Sequence, residues 1–373
     1  MSDHPTIPAS LLEGSDAYQA STQRNIENFI GVTRVPVGLA GPLDLHGDGF
    51  DDTVHVPLAT TEGTLVASTC RGMKVLRASG GAQTRVVREG VIQRAPVFEC
   101  IDIESATALA RSLEPELPML ASCVTETTKH GRLVDARSFQ VGRHVHLRLS
   151  LRTGDAAGQN MVSVAAARCV ETIMARHGAG VRRVMLEGGF SGEKVPSNLN
   201  MLFGRGWAVV ASARIPGDVL FQHTRATPRA LEELLQVYGN AALQSGQGNS
   251  HASLINILPA IYIATGQDVA SVPESCMAQN AISYRADTDT LCWEVHCPNL
   301  VLATVGGGTA LPTQADALAL MGCLGTGRAA RLAQICAATA LANEISFWSA
   351  ICAHEWVAAH AKVRRDGLGA RGA

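Results

Sequence analysis

The feature that most constrains the fold of this 373-residue chain is the order of local patterns between residues 96 and 187. Strand-like runs of β-branched and apolar residues alternate there with stretches of helical periodicity. In chain order, these patterns lie at residues 96–101, 104–113, 133–140, 143–151, 156–175 and 181–187. The resulting order, β-α-β-β-α-β, predicts a ferredoxin-like unit.

Prolines and glycines indicate where these elements end. Pro115 and Pro118 are expected to end the first helix, because proline lacks the amide that a helix interior needs. Val141 and Gly142 are expected to form the turn between the two middle strands.

Placed within the whole chain, this unit predicts an α+β fold with two domains. We expect a small domain of residues 96–187 to be inserted into a large domain formed by residues 1–95 and 188–373. A chain of this length can bury a sizeable core. The Gly- and Arg-rich residues 364–373 are expected to be mobile.

Composition excludes several classes of protein. Apolar residues make up 46% and charged residues 17%, as in folded proteins, and a net charge of −2 gives no reason to expect nucleic acid or an anionic membrane. The apolar stretches 254–264 and 329–342 are too short to span a bilayer and predict core helices. Ten cysteines without a CxxC pair, and no signal segment, predict reduced thiols in a cytoplasmic protein. The twelve histidines show no HxxxH spacing, so no metal site is expected.

The segment 153–161 has the composition of an anion-binding helix start. Asp155 is predicted to be the N-cap of the second helix of the small domain, and Ala156 and Gly158 would let a ligand approach the backbone. Free amides and the helix dipole at such a position favour phosphate or pyrophosphate. An ordinary capped helix is the alternative interpretation. Since no GxGxxG motif follows a strand, a Rossmann dinucleotide site is not expected.

Three charged residues, Glu62, Lys194 and Asp268, lie beside glycine and apolar sequence. A charge in such surroundings is costly unless it is paired or functional. A carboxylate–lysine–carboxylate cluster is therefore one hypothesis, and three ordinary surface charges are the other. The glycines within 305–309 similarly predict either backbone close to a ligand or a simple loop.

Taken together, these segments resemble the 3-hydroxy-3-methylglutaryl-CoA (HMG-CoA) reductase family. In the family's order, the similar segments are residues 27–31, 36–43, 60–72, 154–161, 266–268 and 304–309. The resemblance implies an acyl-CoA thioester as substrate, NADPH as cofactor, and a small cofactor-binding domain inserted into a larger one. It also implies an active site at a subunit interface, hence a homodimer or a higher homo-oligomer.

The resemblance assigns roles to individual residues. Glu62, Lys194 and Asp268 match the family's catalytic Glu, Lys and Asp, and His360 matches its C-terminal histidine. Lys194 would stabilise the oxyanion, Glu62 would supply a proton, and Asp268 would hold and tune both groups. His360 would protonate the departing CoA thiolate, with His354 as the alternative.

Further residues match the family's binding segments. Ser68 and Arg71 match residues that contact CoA, Arg94 matches the carboxylate-binding arginine, and Asn256 matches an asparagine of the catalytic network. Arg152 is expected to pair with the 2′-phosphate of NADPH. The match to the cofactor segment covers Arg152, Asp155, Ala156, Gly158 and Asn160.

The chain departs from the family's pattern where the substrate carboxylate would bind. Val195 stands where a second lysine is usual, Glu193 where aspartate is usual, and Glu187 where a serine is usual. Arg94 is then the main remaining cation. Because an unpaired carboxylate is costly to bury, HMG-CoA is expected to bind more weakly than is usual for the family.

Three functions follow from these matches and departures. The first is NADPH-dependent reduction of HMG-CoA to mevalonate. The second is reduction of a different acyl-CoA or carrier-bound thioester, which the departures at Glu187 and Val195 favour. The third is a catalytically inactive binding subunit. Four retained residues argue against it: Glu62, Lys194, Asp268 and His360.

Overall fold

The computed structural model describes residues 8–22, 26–247 and 253–354, which contain one ten-stranded sheet and thirteen α-helices. The strands are β1 (Val37–Gly47), β2 (Phe50–Ala59), β3 (Ala82–Arg94), β4 (Val97–Cys100), β5 (Arg132–Val141), β6 (His144–Arg152), β7 (Val181–Met185), β8 (Gly206–Pro216), β9 (Gln279–Arg285) and β10 (Thr290–Leu300). The helices are α1 (Ala9–Leu12), α2 (Asp16–Thr22), α3 (Leu65–Ala78), α4 (Ile103–Leu113), α5 (Leu117–Thr127), α6 (Gln159–His177), α7 (Asn198–Phe203), α8 (Gly217–Thr224), α9 (Pro228–Gln244), α10 (Leu254–Thr265), α11 (Val272–Ser275), α12 (Pro312–Leu320) and α13 (Ala329–Cys352).

Strand β3 connects the two parts of the sheet. The strand order is β7-β4-β6-β3-β8-β10-β9, with β5 beside β6 and the hairpin β1–β2 attached to β3. The first part of β3 pairs with β8 from Gln83 to Val91, and its last part pairs with β6 from Val91 to Arg94. Burial follows this change of partner: exposed residues alternate with more buried ones up to Glu89, and Gly90 to Gln93 are all buried.

The segment between residues 97 and 185 contains the predicted βαββαβ elements. Its strands lie in the order β7-β4-β6-β5, and each neighbouring pair is antiparallel. This is the strand order of a ferredoxin-like unit. A separate cluster of buried side chains, including Phe98, Leu120, Leu147 and Ile173, fills its interior. The mixed α+β fold is confirmed, while a domain boundary at residues 96 and 187 stays a prediction.

Two details of the predicted helices are wrong. Pro118 lies in the first turn of α5, where a missing amide costs nothing. A second helix therefore follows α4 after one 3₁₀ turn, Glu114–Glu116. The helix predicted at 156–175 begins at Gln159, and its N-cap is Gly158 with a left-handed φ of 74°. Asp155 therefore does not cap α6.

Helix α13 is the central element of the larger core. It is 24 residues long and almost entirely buried, and it is longer than the apolar stretch 329–342 that predicts it. By length and composition alone it could cross a membrane, but 83% of its apolar window is buried inside the protein. The predicted core helix is therefore confirmed, and so is the buried helix α10.

Candidate active site

Lys194 and Asp268 are brought together by two loops far apart in the sequence. The Lys194 Nζ lies 3.3 Å from Asp268 Oδ2, and both side chains are about two-fifths exposed (42% and 41%). Asp268 follows α10, and its other oxygen accepts a hydrogen bond from the Ala270 amide at 3.0 Å. Lys194 has a left-handed φ of 60°, unusual for a residue with a long side chain. Both charges are therefore fixed yet accessible to a ligand.

A buried ion network underlies the loop that carries Lys194. Arg205 and Glu274 are fully buried and pair at 3.0 Å, and Arg205 also lies 3.9 Å from Glu193. Burial raises the pKa of Glu274, and the Arg205 guanidinium opposes this shift. Sequence reasoning missed Arg205 and Glu274, which lie 69 residues apart in the chain.

Arg94 is already paired with two carboxylates. It lies 2.5 Å from Glu193 and 3.5 Å from Glu187, and its side chain is only 13% exposed. Glu187 also accepts hydrogen bonds from the amides of Gly189 and Ala95. A substrate carboxylate would therefore have to compete with Glu187 and Glu193 for this arginine.

Glu62 is exposed and lies just before α3. Its amide donates to Thr60 Oγ1 at 2.9 Å, and Thr64, which precedes the helix, has a left-handed φ of 76°. Within residues 8–22, 26–247 and 253–354, no ion pair joins Glu62 to Lys194. Ion pairing within the described chain thus joins Lys194 to Asp268 and does not include Glu62. His360 lies outside the described residues.

Ser68 and Arg71 lie on α3 where it crosses α13. Both bind Ser346 of α13: Ser68 Oγ lies 2.9 Å from Ser346 Oγ, and the Arg71 Nε donates to the same oxygen at 2.9 Å. The side chains expected to contact CoA are thus fixed by helix packing. Asn256 is half-buried in the first turn of α10.

A buried carboxylate in α13 was also missed by sequence reasoning. Glu344 accepts hydrogen bonds from the Ser253 amide, the Asn280 side chain and the Trp348 indole. It lies within an apolar run, where a charge is costly unless paired, and that was the signal available in the sequence.

The predicted cofactor residues surround the start of α6 but have different partners. Arg152 pairs with Glu89 at 2.7 Å on the exposed face of the sheet. The carbonyl of Ala156 accepts a hydrogen bond from Thr153, and Asn160 is exposed in the first turn of α6. Asp155 turns away from α6: its carboxylate accepts hydrogen bonds from three amides at the start of α13.

Three glycine-containing loops meet at Asp155: residues 153–158, 304–308 and 325–329, here called the glycine junction. The Thr304 amide donates to the Asp155 carbonyl at 2.9 Å. Thr304 and Gly325 are joined by two further hydrogen bonds, of 2.8 and 3.1 Å. A Cβ added at any of five glycines would meet nothing within 4 Å: Gly154, Gly306, Gly307, Gly325 and Gly327.

The backbone of the glycine junction is open to the approach of a ligand. With no side chains projecting from these five glycines, a pyrophosphate can approach the main chain closely. The junction also lies near the charged pair, because Gly308 packs against Gly266, two residues before Asp268. Whether the glycine cluster at 305–309 approaches a ligand stays a prediction.

No group of three or more potential metal ligands occurs in the part of the chain that the structure describes. All ten cysteines are free thiols, and seven of them are buried. No disulfide is therefore present among the cysteines.

The fold and the site together define a class of protein. A lysine paired with an aspartate, close to backbone that is open to a phosphate, suits reduction at a carbonyl carbon with a nucleotide cofactor. The sequence model of hydroxymethylglutaryl-coenzyme A reductase matches residues 5–365, and the chain belongs to this family.

Similar proteins come from archaea and bacteria. The 3-hydroxy-3-methylglutaryl-coenzyme A reductase of Aeropyrum pernix is 39% identical over 371 residues, covering 97% of this chain and 86% of the relative. The reductase of Halobacterium salinarum is 38% identical, covering 94% and 86%. The class II reductase of Streptococcus pneumoniae, solved with NADPH in open conformations, superposes with a TM-score of 0.68. It is 19% identical and covers 92% of this chain and 84% of that chain, so it supports the fold alone.

Proposed function

We propose that this protein reduces HMG-CoA to mevalonate with two molecules of NADPH. As a member of the HMG-CoA reductase family it is an NADPH-dependent oxidoreductase. The observation that carries the proposal is the Lys194–Asp268 pair beside the glycine junction. This arrangement combines a cation for a developing oxyanion with backbone on which a dinucleotide can lie.

Lys194 is proposed to stabilise the negative charge on the thioester oxygen. Asp268 holds the ammonium group from one side and is itself fixed by the Ala270 amide, so the lysine is oriented before substrate arrives. NADPH, when bound, supplies the hydride. The buried Arg205–Glu274 pair stabilises the loop that carries Lys194, since Arg205 also lies 3.9 Å from Glu193.

Glu62 and His360 are proposed to move protons. Glu62 would supply a proton to the carbonyl oxygen, and His360 would protonate the CoA thiolate. Because Glu62 does not pair with Lys194 in the described chain, we propose that a second copy of the chain brings its own Glu62 to this pair. The protein would then act as a homodimer or a larger homo-oligomer, in the cytoplasm.

The cofactor is proposed to bind at residues 152–160 and the glycine junction. Arg152 is half-exposed and would leave Glu89 to pair with the 2′-phosphate of NADPH. Arg152→Ala should then raise the KM for NADPH far more than the KM for NADH. Arg168→Ala, which removes another surface arginine paired with a glutamate, is the matched control. Equal effects of Arg152→Ala on both cofactors would contradict this role.

Reduction of a different acyl thioester is the second candidate, because Arg94 is already paired with Glu187 and Glu193. The deciding experiment compares kcat/KM, from NADPH oxidation, for HMG-CoA and for acyl-CoAs without the terminal carboxylate. A strong preference for HMG-CoA that Arg94→Ala abolishes supports mevalonate formation. Preference for an uncharged acyl chain would favour the second candidate, and no oxidation with any thioester would favour a binding subunit.

A further inference from the structure

We infer that Asp155 is a positioning residue of the cofactor site: its carboxylate fastens the glycine junction to the start of α13. The inference deepens the proposed function and rests on it for the identity of the ligand, NADPH. Sequence similarity alone places Asp155 among residues that contact the cofactor. The geometry assigns its carboxylate to the protein's own backbone.

The hydrogen bonds of Asp155 reach three consecutive amides. Oδ2 accepts from Gly327 at 2.8 Å, and Oδ1 accepts from Arg328 at 3.1 Å and from Ala329 at 3.0 Å. The main-chain carbonyl of Asp155 accepts from Thr304 at 2.9 Å. One residue thereby joins all three loops of the junction.

The start of α13 needs such a partner. The first amides of a helix have no carbonyl acceptor within the helix, and the N-cap residue, Arg328, makes no side-chain cap hydrogen bond. Asp155, which lies 173 residues before Arg328 in the chain, supplies the missing hydrogen-bond acceptor from outside the helix. Its negative charge also lies at the positive end of the dipole of a 24-residue helix.

The anchor is buried, whereas glycines in the loops it holds, such as Gly154, Gly306 and Gly327, are exposed. Helix α13 is a core element, and Ala329 at its start is fully buried. Gly154 precedes Asp155, and Gly158 follows it by three residues. Both have left-handed φ values, 68° and 74°, and a glycine backbone can adopt many other conformations when nothing holds it. Without the carboxylate, NADPH binding would have to order these loops at a cost in conformational entropy.

The experiment compares Asp155→Ala and Asp155→Asn with a control, Asp102→Asn. Asp102 also caps a helix, since it accepts from the Ser105 amide at the start of α4, but it is far from the junction in the chain. For each protein, the Kd for NADPH is measured by titration of its fluorescence. Amide hydrogen exchange of residues 304–305 and 327–329 is measured without nucleotide.

Asp155→Ala should raise the Kd for NADPH about tenfold, the equivalent of one lost helix cap. It should also accelerate exchange at residues 327–329. Asp155→Asn should have a smaller effect, because an amide oxygen can still accept from Arg328 and Ala329 while its NH₂ group cannot accept from Gly327. Asp102→Asn should leave both measurements at wild-type values.

Two results would overturn the inference. One is weaker NADPH binding in Asp155→Ala with unchanged exchange at 327–329, which would make the carboxylate a direct ligand. The other is a Kd no higher than that of the Asp102→Asn control. If the wild-type protein does not bind NADPH, the proposed function fails instead, and the exchange data alone then decide whether Asp155 fastens the junction.

Discussion

Lys194 is the residue on which the proposed reaction depends most directly. Lys194→Ala removes the cation beside the reacting oxygen and should lower kcat by about 10²–10³, as loss of an oxyanion-stabilising donor does. The side chain is two-fifths exposed, so the free energy of unfolding should change little. Lys129→Ala, at an exposed position before β5, is the control and should be as active as the wild type. Near-normal turnover in folded Lys194→Ala would remove Lys194 from the mechanism.

Asp52 gives a prediction about stability and pH. Its hydrogen bond from Arg331, at 2.7 Å, lowers the pKa of Asp52 below its ordinary value of 3.8. The folded protein therefore holds this proton less tightly than the unfolded chain does. The resulting stabilisation is complete above the ordinary pKa and is lost as the pH falls through the lowered, folded-state pKa.

Urea unfolding of Asp52→Asn tests this linkage. The variant should be less stable than the wild type near neutral pH, and the difference should shrink below about pH 4. Asp287→Asn is the control, since Asp287 lies in the exposed turn between β9 and β10 and forms no ion pair within the described residues. A difference that stays constant from neutral to acid pH would mean that the ionised form of Asp52 contributes nothing to it.

Single residues could be assigned from sequence where each one stood out against its own local sequence. Lys194 and Asp268 were found because each stands out against its local sequence, and the structure joins them. Asp155 was predicted to cap the helix that follows it, and that prediction is wrong because Gly158 is the N-cap of this helix. Its true partner, the start of α13, lies more than 170 residues away, and no local pattern indicates such a contact.

At the scale of elements, the crossing of α3 and α13 depends on one glycine. A Cβ at Gly72 would lie 1.7 Å from the carbonyl oxygen of Ala342, so the helices would have to move apart. We expect Gly72→Ala to lower the free energy of unfolding by about 3 kcal/mol or more. The hydrogen bonds from Ser68 and Arg71 to Ser346 should weaken as the helices separate.

Gly239→Ala provides the matched control for this crossing. Gly239 lies inside α9, and a Cβ there would meet nothing within 4 Å. The same substitution should therefore stabilise the protein by about 0.5–1 kcal/mol, through helix propensity alone. Urea unfolding measures both variants. If Gly72→Ala were also stabilising, the close contact between α3 and α13 would be wrong.

The elements that sequence predicted best are those whose signals are local. All four strands between residues 97 and 185 were predicted, because alternation and turn residues lie within each run. Helix α5 was missed because Pro118 can either end a helix or begin one. The start of α6 was misplaced by three residues for a similar reason: Ala156 and Gly158 resemble a first helical turn, but the glycine adopts a left-handed conformation.

At the scale of the whole molecule, the architecture depends on pairings that no local pattern specifies. Strand β3 continues from one part of the sheet into the other, and its partners β6 and β8 lie on either side of it. Sequence indicated a small unit within a larger one, but not that a single sheet extends through both. The continuous sheet places the start of α6 beside loops from residues 304–308 and 325–329, which is what assembles the glycine junction.

Whether one chain is sufficient for activity is also a property of the whole molecule. Glu62 makes no ion pair with Lys194 within the described ranges, and we propose that two copies share each site. Co-expressed Glu62→Gln and Lys194→Ala subunits, each inactive alone, should then form mixed dimers with one intact site of two. At equal expression, random pairing predicts about a quarter of wild-type activity, because half of the dimers are mixed.

The control for this experiment places both substitutions in one chain. Co-expression of the Glu62→Gln, Lys194→Ala double variant with wild-type subunits also gives mixed dimers, but each of their sites then lacks either the glutamate or the lysine. Their NADPH oxidation should come from wild-type dimers alone, again about a quarter of full activity. Titrating the double variant against a fixed amount of wild type should therefore reduce activity per wild-type subunit. If activity per wild-type subunit stays constant and the two single variants fail to complement each other, Glu62 and Lys194 must act within one chain.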